Sequence, residues 1–309
     1  RNFDWVAFRS AFGRTPPCSL ALLQAGVSRV VVAAREENPV AKGGLERLRV
    51  GGVQVEAGLL EAEARAQNEV FFAVQKKGLP FVLLKAALTL DGKVAAPSGD
   101  ARWISSEASR RVADAYRQWL PAVMVGVGTV LKDDPALTVR EPDFRPFPLM
   151  VEPPPLRDPL KVVLDTEART PPTARLFRKG PRGEPARVLV FVGEGAPRAR
   201  VSALEEAGAR VVALPREGGR VDPERALAFL LEEGVDGVLL EGGPRLAGAF
   251  LERGLVDKLA LFLAPRILGE GRGLAEGFRV ERVAEALRLR LARREWVGEN
   301  LGLEGYPEG

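Results

Sequence analysis

Short apolar runs alternate with amphipathic segments along most of this 309-residue sequence, and this alternation restricts the fold more than any other feature. Runs of β-branched residues bounded by turn signals are typical of strands buried in a parallel sheet. The predicted strands are 27–34, 53–57, 81–90, 122–127, 161–165, 187–192, 210–214, 237–240, 258–263 and 288–297. The predicted helices are 19–27, 60–77, 106–117, 198–207, 222–233 and 247–253. The sequence therefore predicts an α/β protein with a mainly parallel central sheet.

The chain is long enough for two hydrophobic cores. The predicted helix over 60–77 is long and amphipathic, and Gly78-Leu79-Pro80 breaks it. We place the domain boundary there, which predicts one domain over residues 1–78 and a second over 79–309.

Composition narrows the function classes. No apolar run is long enough to cross a membrane and no secretory signal is visible, so we expect a cytoplasmic protein without a membrane partner. The net charge of +4 is dispersed, with Arg and Glu interleaved, which argues against a nucleic-acid partner. The high Arg, Glu and Pro content with only two Met is typical of a thermophile. Because the first residue is Arg, we expect the sequence to begin inside a larger product.

The sequence contains no histidine and one cysteine. A serine triad of the usual kind, a His general base and a His zinc ligand are therefore excluded within these residues. Any catalysis must rely on Lys, Asp, Glu, Arg, Tyr or a cofactor. Cys18 precedes a helix, as reactive thiols often do, but a buried inert cysteine is the better interpretation.

Lys85 lies inside the apolar strand over 81–90, which ends at an Asp-Gly turn. A charge in a buried strand is costly unless it is paired or used. Lys85 is therefore the first candidate catalytic residue.

Two glycine-containing turns follow predicted strands and open helices, where backbone N–H groups can hold phosphate. The first, Gly126 to Pro135, carries Thr129 and Asp133 one helical turn apart; a tight structural turn is the alternative. The second, 238–248, ends a strand in Glu241 before Gly242 and Gly243. This is the better pyrophosphate site, and Glu241 at a strand end suits a ligand, although it could instead cap the following helix.

Five further residues are weaker candidates for ligand binding. Asp165 and Thr166 end another strand, where a capping role is equally plausible. Arg110, Arg117 and Arg140 could converge on a phosphate, although surface ion pairing is the ordinary role of single arginines.

Together these segments resemble one family, the bacterial bifunctional riboflavin-biosynthesis deaminase–reductases. The resemblance covers nearly the whole chain. It is carried by GRTPPC (13–18), NEVFF (68–72), LKAALTLDGKVA (84–95), SGDARWIS (98–105), VGVGTVLKDDPALTVR (125–140), VVLDT (162–166), EGGPRLAGAFL (241–251) and VDKLALFLAPRILG (256–269). It implies a cytidine-deaminase-like part followed by a dihydrofolate-reductase-like domain.

The resemblance also implies roles for residues of the second domain. Lys85 matches a lysine near the reacting sugar, and with Asp133 or Glu241 it is the expected catalytic group. The implied NADPH-binding residues are Ala87, Trp103, Thr129, Asp133, Thr166, Gly242, Gly243, Pro244, Leu246, Ala247 and Gly248. The implied substrate-binding residues are Ala101, Arg117, Leu137, Arg140 and Glu241. Ala101 departs from the family, which often has a substrate-contacting serine there.

The deaminase part departs further from the family pattern. Its zinc site needs a His or Cys beside a catalytic Glu and two further cysteines. Cys18 matches one of them, but Arg9 stands where the other cysteine is expected and Ala11 where a histidine is usual. We therefore expect residues 1–78 to be a deaminase remnant without a complete metal site or bound zinc.

The resemblance implies NADPH-dependent reduction of the ribosyl group of 5-amino-6-(5-phosphoribosylamino)uracil, a step of riboflavin biosynthesis. The expected partners are this small phosphoribosylaminopyrimidine and, as a homodimer, a second copy of the chain. Two alternatives remain open. One is a bifunctional enzyme that also deaminates the pyrimidine with zinc, which requires an upstream segment. The other is a non-catalytic module that only binds the nucleotide.

Overall fold

The computed structural model describes residues 18–35, 43–102, 104–144 and 154–308. The chain divides into two compact units, Arg1–Gly78 and Leu79–Gly309. None of the helices within the described ranges combines the length and the hydropathy that a membrane crossing needs.

The first unit is small. Its elements are α1 (Cys18–Gln24), β1 (Arg29–Val32), α2 (Gly44–Val50), β2 (Gln54–Ala57), α3 (Glu61–Gln67) and α4 (Glu69–Lys77). β1 and β2 form a parallel pair, and Val30, Leu48 and Val53 are the buried residues of its core.

The single helix predicted over 60–77 is wrong, because the structure has two helices, α3 and α4. Asn68 lies between them with non-helical backbone angles, and its side-chain amide donates to the carbonyl oxygen of Ala64 at 2.9 Å. Asn often competes in this way for backbone hydrogen bonds, which explains the break.

The second unit contains a nine-stranded sheet. Its strands are β3 (Phe81–Thr89), β5 (Ala122–Gly126), β6 (Leu160–Leu164), β7 (Val188–Gly193), β8 (Ala209–Leu214), β11 (Gly237–Leu240), β12 (Lys258–Ala264), β14 (Arg288–Val297) and β15 (Asn300–Glu308). Short strand pairs add β4 (Lys93–Ala95), β9 (Arg216–Glu217), β10 (Arg220–Val221) and β13 (Arg272–Gly273).

The strand order is β14-β15-β12-β3-β11-β5-β6-β7-β8. Every pair from β12 to β8 is parallel, whereas β15 pairs antiparallel with both β12 and β14. The predicted α/β fold with a mainly parallel sheet is therefore confirmed. The helices of this unit are α5 (Glu107–Trp119), α6 (Val127–Asp133), α7 (Arg198–Glu206), α8 (Pro223–Glu232) and α9 (Pro244–Glu252).

The core is built from the central strands. Leu84, Met124, Val162 and Leu240 are buried, and Phe250 of α9 packs into the same cluster. Because parallel strands end at the same edge, the residues that follow β5, β6 and β11 meet there beside the C-terminal half of β3.

Candidate active site

A cleft of about 870 Å³ opens at this edge of the sheet. It lies within the size range of pockets that hold nucleotide-sized ligands. Among the predicted site residues that the structure describes, those lining the cleft are Lys85, Ala87, Ala101, Thr129, Asp133, Thr166, Glu241, Gly242, Gly243, Pro244, Leu246 and Ala247. Gly248, Arg117, Leu137 and Arg140 are not among its lining residues. Trp103 lies outside the described residues, as do Arg9 and Ala11 of the first unit.

Lys85 and Glu241 meet in this cleft from neighbouring parallel strands. Leu84 of β3 pairs with Leu240, the last residue of β11, so Lys85 and Glu241 are the residues that follow this pair. Side chains at paired positions of adjacent strands point to the same face of a sheet. The structure therefore brings the predicted ammonium and carboxylate together.

Arg117 of α5 holds Glu241 with two parallel hydrogen bonds. Its Nε and Nη2 atoms each donate to one oxygen of the Glu241 carboxylate at 2.7 Å. Its Nη1 atom donates to Asp114 Oδ1 at 2.8 Å and to the carbonyl oxygen of Thr138 at 3.2 Å. With most of its donors used, Arg117 fixes Glu241, and the capping role considered for Glu241 is not what its carboxylate does.

The charges of Lys85, Glu241 and Arg117 influence one another's protonation. Burial lowers the pKa of Lys85 below its ordinary value and the Arg117 charge adds to the lowering, while Glu241 opposes it. Burial alone would raise the pKa of Glu241, but Arg117 and Lys85 outweigh it and hold that pKa below its usual value. Glu241 is therefore ionised at neutral pH, and Lys85 releases its proton more readily than an ordinary lysine does.

Helix α9 presents its N-terminus to the cleft. Gly243 is the N-cap residue and no side chain caps the helix. The carbonyl oxygen of Gly243 accepts from the N–H groups of Leu246 and Ala247, at 3.0 Å and 3.1 Å, so it is mainly the dipole of the helix that favours an anion at this end. Pro244 occupies the first turn, where its missing N–H is not needed, and so α9 begins earlier than the predicted 247.

Gly248 packs closely against a neighbouring segment and does not line the cleft. A Cβ atom there would lie 2.1 Å from the carbonyl oxygen of Glu276, an impossible contact. The backbone N–H of Glu276 also donates to the carbonyl oxygen of Pro244 at 2.9 Å, which holds that segment against the helix. Gly248 as a cofactor-contacting residue stays a prediction, and its visible role is this close approach.

Asp165 and Thr166, at the end of β6, have different roles. Asp165 is fully buried and its Oδ2 atom accepts from Thr170 N at 2.6 Å and Thr170 Oγ1 at 2.7 Å. Thr166 lines the cleft, and its Oγ1 accepts from the backbone N–H of Val221 at 3.1 Å. Asp165 thus stabilises the 166–170 turn, while Thr166 faces the ligand space.

Sequence reasoning missed five basic residues that line the cleft: Lys132, Arg169, Arg220, Arg245 and Arg272. They lie on loops, short strands and helix ends, where a cation is ordinarily a solvated surface residue, so no local pattern marks them. Arg245 and Arg272 both pair with Glu276, at 3.3 Å and 2.6 Å.

The first unit has fewer candidate functional residues than the second. Cys18 stands at the start of α1 and is half-buried. Within the described ranges, no group of three or more His, Cys, Asp or Glu side chains is placed to hold a metal ion.

A parallel α/β domain with an uncapped helix start, an ammonium and a carboxylate at the carboxyl edge of its sheet belongs to the class of nucleotide-using enzymes. Comparison with known proteins gives the family. Residues 80–303 match the model of the RibD C-terminal domain. The riboflavin biosynthesis protein RibD of Aquifex aeolicus is 38% identical over 291 residues, which cover 94% of this chain and 76% of that protein.

Comparison with solved structures points to the same family. The Thermotoga maritima diaminohydroxyphosphoribosylaminopyrimidine deaminase/5-amino-6-(5-phosphoribosylamino)uracil reductase superimposes with a TM-score of 0.74 at 31% identity, over 96% of this chain and 76% of that one. Acinetobacter baumannii RibD gives a TM-score of 0.78 at 30% identity, over 98% and 79%. The chain belongs to the RibD family, and residues 80–303 form its riboflavin-biosynthesis reductase domain.

Proposed function

We propose that this protein reduces the ribosyl group of 5-amino-6-(5-phosphoribosylamino)uracil to the ribityl chain, with NADPH as the reductant. The observation that carries the proposal is the placement of Lys85 beside Glu241 in a cleft of about 870 Å³. The Thermotoga maritima relative is named for this reductase activity.

The residues present fit a dinucleotide. The N-terminus of α9, which no side chain caps, suits a pyrophosphate, because the positive end of the helix dipole favours anions. A Cβ atom at Gly128 would meet nothing within 4 Å, so the first turn of α6 leaves open space in the cleft. Thr129, Thr166 and Ala247 line the same cleft. When bound, the reduced nicotinamide supplies a hydride equivalent to the sugar.

The protein's part is orientation and proton transfer. Reduction places the hydride on the anomeric carbon, the bond from that carbon to the ring oxygen breaks, and this oxygen takes a proton to become a hydroxyl. Lys85 is the proposed donor, because its pKa is lowered and it lines the cleft. Glu241, held ionised by Arg117, acts on the Lys85 ammonium through its charge and favours the protonated form. Asp133 also lines the cleft and is the second candidate donor.

The direct test is oxidation of NADPH by the purified chain in the presence of the substrate, with identification of the ribitylamino product. Parallel reactions with NADH measure the cofactor preference. NADPH binding without turnover would favour the non-catalytic module instead, since such a module keeps the pocket and loses the chemistry.

We further propose that residues 1–78 do not deaminate the pyrimidine. The sequence has no histidine and only Cys18 as a thiol ligand. The bifunctional alternative would need zinc ligands from outside the 309 residues given. Metal analysis of the purified chain tests this proposal, because one zinc per chain would contradict it.

We also propose that the protein is a cytoplasmic homodimer. Strand β14 is an edge of the main sheet, and Leu291 and Trp296 on it are 52% and 73% exposed. Exposed apolar side chains on an edge strand offer a surface on which a second copy can pack. Light scattering after size-exclusion chromatography measures the mass, and replacement of Trp296 with Glu should weaken the dimer.

A further inference from the structure

One buried carboxylate connects helix α5 to a neighbouring loop of the second unit. Asp114 lies on α5 and is 8% exposed. Its Oδ1 atom accepts from Arg117 Nη1 at 2.8 Å. Its Oδ2 atom accepts from the backbone N–H groups of Arg140 and Glu141, at 3.2 Å and 3.3 Å. One side chain therefore fixes both an arginine and the backbone of a loop.

Asp114 reaches the catalytic cleft through Arg117. The other edge of the Arg117 guanidinium holds both oxygens of Glu241, which stands beside Lys85. A guanidinium is planar and its donors are fixed relative to one another, so holding Nη1 on one edge also orients Nε and Nη2 on the other. The position of Glu241 thus depends on Asp114, although the two carboxylates belong to different elements.

The same carboxylate balances the charge around Lys85. The charged groups that act on Lys85 are Arg110, Asp114 and Arg117 of α5 and Glu241 beyond β11, which makes two cations and two anions. Without the Asp114 charge, Lys85 faces two cations and a single anion. Its protonated form is then less favourable.

We propose that Asp114 is a positioning residue of the reductase, which orients Glu241 through Arg117 and keeps Lys85 protonated for the chemical step. Asp114 does not line the cleft and acts only through the groups it holds. The catalytic part of this proposal rests on the proposed function. The effect on Lys85 can be measured in the protein without substrate.

The test compares Asp114→Asn with a matched control, Asp158→Asn. Asp158 Oδ1 accepts from the backbone N–H of Val139 at 2.8 Å, so it holds the same loop. Its ion-pair partner is Arg182 at 3.6 Å, and it has no bond to Arg117 among the described contacts. Both substitutions are nearly isosteric. Asp114→Ser replaces the first variant if circular dichroism shows that Asp114→Asn does not fold.

The first measurement is competitive acylation of Lys85 across pH in the ligand-free protein, followed by peptide mass spectrometry. We expect Asp114→Asn to label Lys85 about threefold faster than wild type at neutral pH, because more of the amine is unprotonated. Asp158→Asn should label it at the wild-type rate. Equal labelling in all three proteins, or faster labelling in both variants, would overturn the proposal.

The second measurement is the pH profile of kcat. For Asp114→Asn, the loss of activity on the alkaline side should move to lower pH, whereas Asp158→Asn should change KM and leave the profile in place. A uniform loss of kcat without movement of the profile contradicts the role of Asp114. If labelling shifts but no variant, wild type included, turns over substrate, the proposed reductase function fails while the positioning role stands.

Discussion

Arg117 and Glu241 are 124 residues apart in sequence and are joined by two hydrogen bonds of 2.7 Å each. Their side chains are 19% and 10% exposed, so the pair is largely removed from water. The pair connects helix α5 to the end of β11 at the point where Lys85 enters the cleft. It is therefore a structural and a functional element at once.

Removal of one partner should destabilise the fold. Glu241→Ala leaves the Arg117 guanidinium buried with Asp114 as its remaining carboxylate partner, and we expect a loss of about 3 kcal/mol in the free energy of unfolding. Urea denaturation measures this loss. The control is Glu233→Gln, which removes an exposed pair with Arg210 and should cause no measurable change. A Glu241→Ala protein as stable as wild type would show that the pair is not coupled to folding.

The same carboxylate predicts a pH dependence of stability. The pKa of Glu241 lies below its ordinary value of 4.5 in the folded protein. The unfolded chain therefore binds a proton more readily, and the stabilisation is present above about pH 4.5 and lost as the pH falls through the folded-state pKa. The stability difference between wild type and Glu241→Gln should shrink through this acid range. A constant difference across it would argue that Glu241 is not held ionised.

Lys85 should be needed for turnover and not for folding. If it supplies the proton to the ring oxygen, Lys85→Ala should lower kcat by about 10²-fold or more. Thermal denaturation should show little change, because removal of the ammonium also removes the desolvation cost that lowers its pKa. Lys179→Ala, at an exposed lysine on a loop outside the cleft lining, is the control. Unchanged turnover in Lys85→Ala would transfer the donor role to Asp133.

Most strands and helices of the second unit could be predicted, because their apolar runs are long and their turns carry Gly and Pro. β15 was missed for the opposite reason. Gly302, Gly305 and Pro307 lie within it, and such residues are depleted in strands. Its pairing with both β12 and β14 overrides that local preference. The sequence also could not place β11 between β3 and β5, since that order depends on long-range packing.

Two lysines within strands show how far the site can be predicted from the sequence. Lys85 was selected because a charge in an apolar strand needs a partner or a use, and it does line the cleft. Lys161 carries the same signal on β6 but is fully buried, and its Nζ donates to the carbonyl oxygen of Leu176 at 3.0 Å. Only the direction of each side chain separates a cleft residue from a packing residue. The bond between Arg117 and Glu241 was equally invisible, because nothing local links positions so far apart.

Two helical glycines should respond differently to alanine. In Gly248→Ala the new Cβ would collide with the backbone of Glu276, and we expect a loss of about 1–3 kcal/mol in the free energy of unfolding. In Gly128→Ala the Cβ meets nothing within 4 Å, so stability should hold or rise slightly. Because Gly128 lines the cleft, this variant should instead raise the KM for the dinucleotide. Equal loss of stability in both variants would refute the packing role of Gly248.

Arg169 and Arg220 should determine the proposed preference for NADPH over NADH. Both line the cleft near Thr166 and are exposed, and the described contacts give neither an ion pair. Arg245 and Arg272 instead share an ion pair with Glu276, and the nearby Glu167 pairs with Arg216. We therefore expect an extra phosphate on the adenosine ribose to bind to Arg169 and Arg220.

The double variant Arg169→Ala/Arg220→Ala should weaken NADPH binding about tenfold or more and leave NADH binding within about twofold, as measured by calorimetry. Arg178→Ala, at an exposed arginine outside the cleft lining, is the control. An equal loss for both dinucleotides in the double variant would assign Arg169 and Arg220 to general charge attraction instead.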